Sequence, residues 1–235
     1  MPLQIENTNY DEIYPLAFPV MTMNTQDSTG TYSMANAMDF SGLGNNLTTA
    51  AAFNSQGMVC TPTGSSATMP VAETAALSFV IAINIPATPV GGAANILSMV
   101  TPALAPFTGL RLTQSTSGTG VILVASGVAS PTSTLLDMGG ITGGWTAFAV
   151  SISATKIEYV RGSGATSSAT ITPSRSVSSN NIVINGAPTG SQITNGVAGT
   201  IGGLALYSKA LSVAEMTQQI NNMRGFMNTK GVMIP

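Results

Sequence analysis

A chain of 235 residues is long enough to bury a sizeable core without disulfides or metals. Only 7% of its residues are charged, the net charge is −2 and no basic run occurs, which excludes a phosphate-backbone footprint and with it nucleic acid as an expected partner. Histidine is absent and Cys60 stands alone, which removes the usual near-neutral acid–base group, the commonest zinc ligand and any internal disulfide.

Residues 1–14 are polar, hold Glu6, Asp11 and Glu12 without a basic residue, and read as an arm ahead of one domain spanning 15–235. They do not have the makeup of a secretory signal, and no apolar run in the chain is long enough to span a membrane. "LAFPVMTMN" (16–24) reads as a first strand, which Pro19 would place at an edge or bulge. Onward to residue 70 the chain is rich in Asn, Ser, Thr and Gly, so loops and short strands are expected there. Cys60, in "QGMVCTP", reads as a small buried apolar residue rather than a reactive thiol.

In "LSFVIAINIP" (77–86), Phe79, Ile81, Ile83 and Ile85 point one way and Ser78, Val80, Ala82 and Asn84 the other, the two-residue period of a strand. Further strands are expected at 95–100, 109–115, 120–126, 134–138, 145–153, 156–162 and 181–186. Only "AT" separates "WTAFAVSIS" from "KIEYVRG", so these two pair as an antiparallel hairpin. "GSGATSSATITPS" (162–174) has low complexity without phosphate-loop spacing and reads as a flexible connection.

The last stretch changes period. From Ile201 to Tyr207 the residues alternate, with Leu204 and Leu206 on one face and Gly203, Ala205 and Tyr207 on the other. Ser212 and Glu215 then have the spacing of a capping box, with Leu211 and Met216 placed as a hydrophobic staple. Met216, Ile220, Met223 and Met227 draw one apolar stripe down the helix that follows. Ten or so strands without an internal helix leave a closed barrel or a two-sheet sandwich, with this helix outside or across an open end.

The order of the pieces "DFSGLGNN" (39–46), "LSFVIAINIP", "GGWTAFAVSISATKIEYVRGS" (143–163), "IVINGAP" (182–188) and "GTIGGLALYSKALSVAEM" (199–216) resembles the laminin-G-like group of the concanavalin A-like lectin/glucanase jelly rolls, as found in bacteriophage virion proteins. The resemblance implies an all-β fold, a two-sheet antiparallel jelly-roll β-sandwich with a short C-terminal α-helix. Two positions depart from the group: Thr146 and Ala147 stand where two histidines usually follow the hairpin tryptophan, and Gly203 and Leu204 replace an acidic pair before the last strand.

Glycoside hydrolysis, the activity associated with these relatives, needs two carboxyl groups about 5 to 10 Å apart. None of the nine acids lie two residues apart, and adjacent Asp11 and Glu12 would face opposite sides of a strand. Asp137 and Glu158 are left to converge through the fold alone. For calcium, "DFSGLGNN" offers Asp39, Asn45 and Asn46, fewer carboxylates than a good site wants, and reads first as a turn pinned by side-chain bonds to its own backbone. No catalytic residue, metal ligand or cofactor is expected. For sugar binding, Trp145 starts a hairpin strand and reads as core, Tyr159 and Tyr207 lie in strands, and Tyr32 lies in a polar stretch that favours exposure.

These features favour a non-catalytic structural protein of a virus particle, a bacteriophage capsid decoration, tail or fibre component. Such a protein makes contacts with other virion proteins and with copies of itself, takes part in host-surface attachment, and leaves the host by lysis. The alternatives are a carbohydrate-binding module for a surface polysaccharide and, ranked last, a glycoside hydrolase.

Overall fold

The computed structural model describes residues 17–127 and 132–235, so the expected arm at 1–14 lies outside the described residues. Strands β1 (Ser28–Tyr32), β2 (Thr48–Thr49), β3 (Met58–Cys60), β4 (Ala67–Ala72), β5 (Leu77–Ile85), β6 (Ala94–Ser98), β7 (Leu110–Gln114) and β8 (Thr119–Ala125) come first. They are followed by β9 (Ser133–Gly140), β10 (Gly144–Ile152), β11 (Lys156–Arg161), β12 (Thr166–Thr170), β13 (Asn181–Ile184) and β14 (Gly199–Tyr207). Helix α1 (Ala17–Met21) precedes the strands and α2 (Val213–Thr229) follows them. One sheet has the order β1-β14-β5-β10-β11-β12, with β3 also paired to β14, and the other β2-β4-β13-β6-β7-β8-β9. Every strand pair is antiparallel, so the chain is a two-sheet sandwich and not a barrel.

The core follows from alternation. Phe79, Ile81, Ile83 and Ile85 of β5, Phe148, Val150 and Ile152 of β10, and Leu204 and Leu206 of β14 meet Ile182, Ile184, Leu110, Leu112, Ile122 and Val124 of the other sheet. Each such side chain contributes roughly 1.5–3 kcal/mol by leaving water. The opposite face of the first sheet is built from small residues, Val80, Ala82, Ala147, Ala149, Gly203 and Ala205, and here α2 lies flat. A Cβ at Gly203 would come within 2.7 Å of Met223 Sδ and 3.0 Å of Phe226 Cε1, so the helix sits as close as it does because that side chain is missing.

The capping box forms as its spacing predicts. Ser212 N donates to Glu215 Oε2 at 2.7 Å, and Glu215 N donates back to Ser212 Oγ at 3.3 Å. Lys209 Nζ donates to Glu215 Oε1 at 2.6 Å, and with the Ser212 bonds it holds the Glu215 carboxyl down at about 2. Met216, Ile220, Met223 and Met227 are all buried, joined by Gln219 and Phe226. Ser78 of β5 clasps the strand-to-helix link, its Oγ donating to Lys209 O at 2.7 Å and accepting from Leu211 N at 2.9 Å.

At the far end of α2, Lys230 donates to Gly202 O at 2.7 Å, to Gln56 O at 3.2 Å and to Ser33 O, with its ammonium 4.9 Å from the Phe226 ring centre. Burial pulls this ammonium down to about 8 from 10.5. A buried ion pair lies elsewhere, between the link that leaves β4 and the link that leads into β13. Arg175 Nη2 donates to Glu73 Oε1 at 2.5 Å, and Ser178 N donates to Glu73 Oε2 at 2.7 Å, with the two charged side chains 3% and 0% exposed. Burial pushes the Glu73 carboxyl above its ordinary value, against the pull of Arg175 and the Ser178 N–H.

Three expectations are corrected. "LAFPVMTMN" contains helix α1, not a strand, because Pro19 falls within the first turn, where its missing N–H costs nothing, and Val20 and Met23, three apart, are buried against α2. Tyr32 is fully buried, not exposed, its hydroxyl donating to Asn45 O at 2.6 Å. The stretch 162–174 is not a mere connection: it holds β12, an edge strand paired with β11 from Lys156↔Thr170 to Val160↔Thr166.

Candidate functional site

At one end of the first sheet, Gly143 and Gly144 adopt φ of 86° and 152° and deliver the chain into β10. Trp145 pairs with Asn84, so its side chain falls on the helix-covered face. It reaches the position of Gly202, the extra residue of a β-bulge in β14, where a Cβ would lie 2.7 Å from Trp145 Cζ3 and 2.4 Å from Met227 Cε. Trp145 is therefore half-buried, packed on the outer cluster while one part of it lines a cavity of about 490 Å³. Small-ligand pockets commonly fall in the range of about 300–1,000 Å³.

The rest of the wall comes from Thr142, Thr146, Arg161 and Ser163, with Met233 and Pro235 from the segment after α2. Arg161 ends β11 opposite Phe148, and a tight turn follows in which Arg161 N donates to Ala165 O and Gly164 N donates to Arg161 O, both at 2.8 Å. A second guanidinium, Arg224 of α2, lies against Gly162, whose Cβ would be 3.0 Å from its Nη2, and donates to Pro235 O. Among the described residues the ion pairs are Lys156–Glu158, Arg175–Glu73 and Lys209–Glu215; Arg161 belongs to none, and no acid lines the cavity.

The acids take up other places. Asp137 and Glu158 do not converge: Leu136 and Met138 turn inward beside Asp137, Ile157 and Tyr159 turn inward beside Glu158, and the two acids thus face outward from opposite sheets. Asp39 is spent on its own turn, its Oδ1 accepting from Thr31 N and Ser41 N at 3.0 and 2.8 Å, and its Oδ2 from Ser41 Oγ and Asn45 N at 2.7 and 3.0 Å. Asn46 Oδ1 accepts from Asp39 N, and Asn45 Nδ2 donates to Thr29 O, so the loop is pinned to its own backbone as the sequence indicates. Asp27 and Glu215 do line one cavity, of about 260 Å³, but Lys209 lines it too, and both oxygens of Glu215 already accept hydrogen bonds. A carboxyl held near 2 is the opposite of a general acid. Cys60 is buried, its thiol pushed up to about 12, as a packing residue would be.

Sequence reasoning missed Arg161 and Asp27. Arg161 had a faint signal, a cation closing the hairpin strand that faces the tryptophan strand; Asp27 had none. Tyr159 and Tyr207 lie in strands as expected and are buried there, Tyr207 donating its hydroxyl to Met23 O at 2.9 Å.

No protein-family model matches this sequence, and no curated protein matches it significantly. Solved structures do. The chain is similar to Trypanosoma rangeli sialidase in complex with 2,3-difluorosialic acid, with a TM-score of 0.62 at 14% identity over 86% of this chain and 34% of the sialidase. It is similar to the binding domain of botulinum neurotoxin DC in complex with rat synaptotagmin II, with a TM-score of 0.61 at 9% identity over 84% of this chain and 52% of that one. It is also similar to botulinum neurotoxin type C, which interacts with two ganglioside molecules, with a TM-score of 0.58 at 9% identity over 83% of this chain and 51% of that one. The chain thus spans about a third of the sialidase and half of the toxin chains. What it shares with them, at such identities, is a β-sandwich architecture of the jelly-roll kind.

Proposed function

We propose that this chain is a non-catalytic recognition module that binds glycan in the cavity between Trp145 and Arg161. The observation that carries the reading is the composition of that wall: Trp145, Arg161, Thr142, Thr146 and Ser163 around about 490 Å³. Sugar sites combine an apolar face with a few placed polar groups in this way. The similar structures that bind sialic acid analogues and gangliosides add support through shared architecture. The non-catalytic part of the reading is supported by Asp137 and Glu158 facing apart and by the engagement of Glu215 with Lys209 and Ser212.

The test is a glycan array probed with the wild type and with Ser163→Trp, which fills the cavity from an exposed turn without touching the core. Binding to a defined set of glycans that the variant loses is the expected result. Silence across a broad array refutes the reading, and turnover of any bound glycan refutes its non-catalytic part.

A second reading, a structural component of a bacteriophage particle, is favoured by the loop closed by the Thr101↔Thr108 bridge. There Pro102, Leu104, Ala105 and Pro106 are exposed, Leu104 to 78%, and no charged residue intervenes. Such a surface suits packing against another subunit. Leu104→Glu should then weaken self-association, or incorporation into particles, by sedimentation; unchanged behaviour counts against this role.

A further inference from the structure

We infer that the cavity between Trp145 and Arg161 selects a carboxylate-bearing sugar, an inference that rests on the glycan-binding reading and narrows its ligand class. Arg161 is the only charged side chain in the wall, and it has no acidic partner among the described residues. Arg224 brings a second guanidinium against Gly162, next to Arg161 in the chain. Arg224 donates to Pro235 O, so Arg161 is the guanidinium in the wall that has no acceptor among the described residues.

The planar fork of a guanidinium matches a carboxylate with two parallel hydrogen bonds, a geometry that an ammonium cannot reproduce. A neutral sugar replaces the water on Arg161 with hydroxyl oxygens that accept ordinary hydrogen bonds, whereas a carboxylate replaces it with a stronger pair between opposite charges. Thr142 and Ser163 then stand at the cavity for ring hydroxyls, and Trp145 offers apolar surface to the ring carbons. Sialic and uronic acids share this chemistry.

The experiment titrates the 235-residue chain by calorimetry with N-acetylneuraminic acid, glucuronic acid, the methyl ester of each, and glucose. Wild type, Arg161→Gln, Arg161→Lys and Ser163→Trp are compared after their unfolding midpoints have been matched. At least one acid should bind, its ester about 10-fold or more weaker. Arg161→Gln should weaken the acid by about 10- to 100-fold and leave esters unchanged, and Arg161→Lys should fall between. The acid that binds more tightly identifies the source, sialylated or uronic. Equal binding of acid and ester, or no effect of Arg161→Gln, overturns the inference. If neutral sugars bind, Ser163→Trp blocks them and Arg161→Gln does not, the inference fails and the glycan-binding reading stands. If no sugar of either kind binds, both fail together.

Discussion

Replacing Glu73 with Ala tests how the links beside β4 and β13 are held. The carboxylate holds Arg175 at 2.5 Å and the Ser178 N–H at 2.7 Å, and its removal leaves a guanidinium that is 3% exposed with only Ala75 O, at 2.5 Å, to accept from it. Breaking a buried ion pair on one side costs about 3–5 kcal/mol, because the surviving charge has neither partner nor water. The stranded Ser178 N–H lies in the same network, so its loss is contained in that figure. Against a domain stability of about 5–15 kcal/mol this is a large fraction, and it lowers the midpoint of thermal unfolding by roughly 6–20 °C. The assay is urea unfolding of Glu73→Ala, Arg175→Met and the double variant Glu73→Ala/Arg175→Met. The double variant should recover most of the loss, since both charges leave together, while still lacking an acceptor for Ser178 at a cost of about 1–3 kcal/mol. A single-variant cost under about 1 kcal/mol, or a double variant as unstable as the sum of the two singles, would refute the reasoning.

Two further predictions concern the contact between α2 and the sheet. Gly203→Val puts side-chain atoms where Met223 Sδ and Phe226 Cε1 already stand, so stability should fall by about 1–3 kcal/mol through overpacking; an unchanged denaturant midpoint would show that the helix rides higher than described. Lys230, at about 8 in the folded chain and 10.5 when unfolded, is bound by more protons in the unfolded state between those values, so stability should rise with pH by about 1 kcal/mol per unit there. Cys60, raised from 9 to about 12, acts in the opposite sense above pH 9, so the slope is best read between pH 8 and 9 against Lys230→Met, in which it should vanish. Identical slopes in the two proteins would mean that the three carbonyls offset the burial.

The strands that alternation makes visible are those with one face in the core. β5, β10 and β14 carry large residues inward and small ones outward, and their sequences state both faces at once. β12 has no such signature: "TSSAT" lies at the edge of its sheet with four of its five residues exposed, and its pairing is held by backbone bonds that any residues could make. β1 and β2 could not be placed among the short strands expected there for a related reason, their Ser, Thr and Gly being as common in loops as in strands, and β4 carries Pro70, which argues against a strand. The helix was fully legible because its cap, staple and stripe are local patterns, whereas Glu73 and Arg175 stand 102 residues apart and nothing near either one announces the other. The same holds for the candidate site, where Trp145 and Arg161 are neighbours only because the β10–β11 hairpin folds back.

Strand β14 lies between β1 and β5 and also pairs with β3, so residues 28–32 and 58–60 find their sheet partner only in residues 199–207. A ribosome must therefore release residues 199–207 before β1 has anything to pair with, and until then the backbone edge of β5 stays open along its β14 side. Non-local closure of this kind slows folding and lengthens exposure to misassembly. A nascent chain halted before Gly199 should be held by chaperones or degraded, and one carried past Tyr207 should become resistant to protease in a single step.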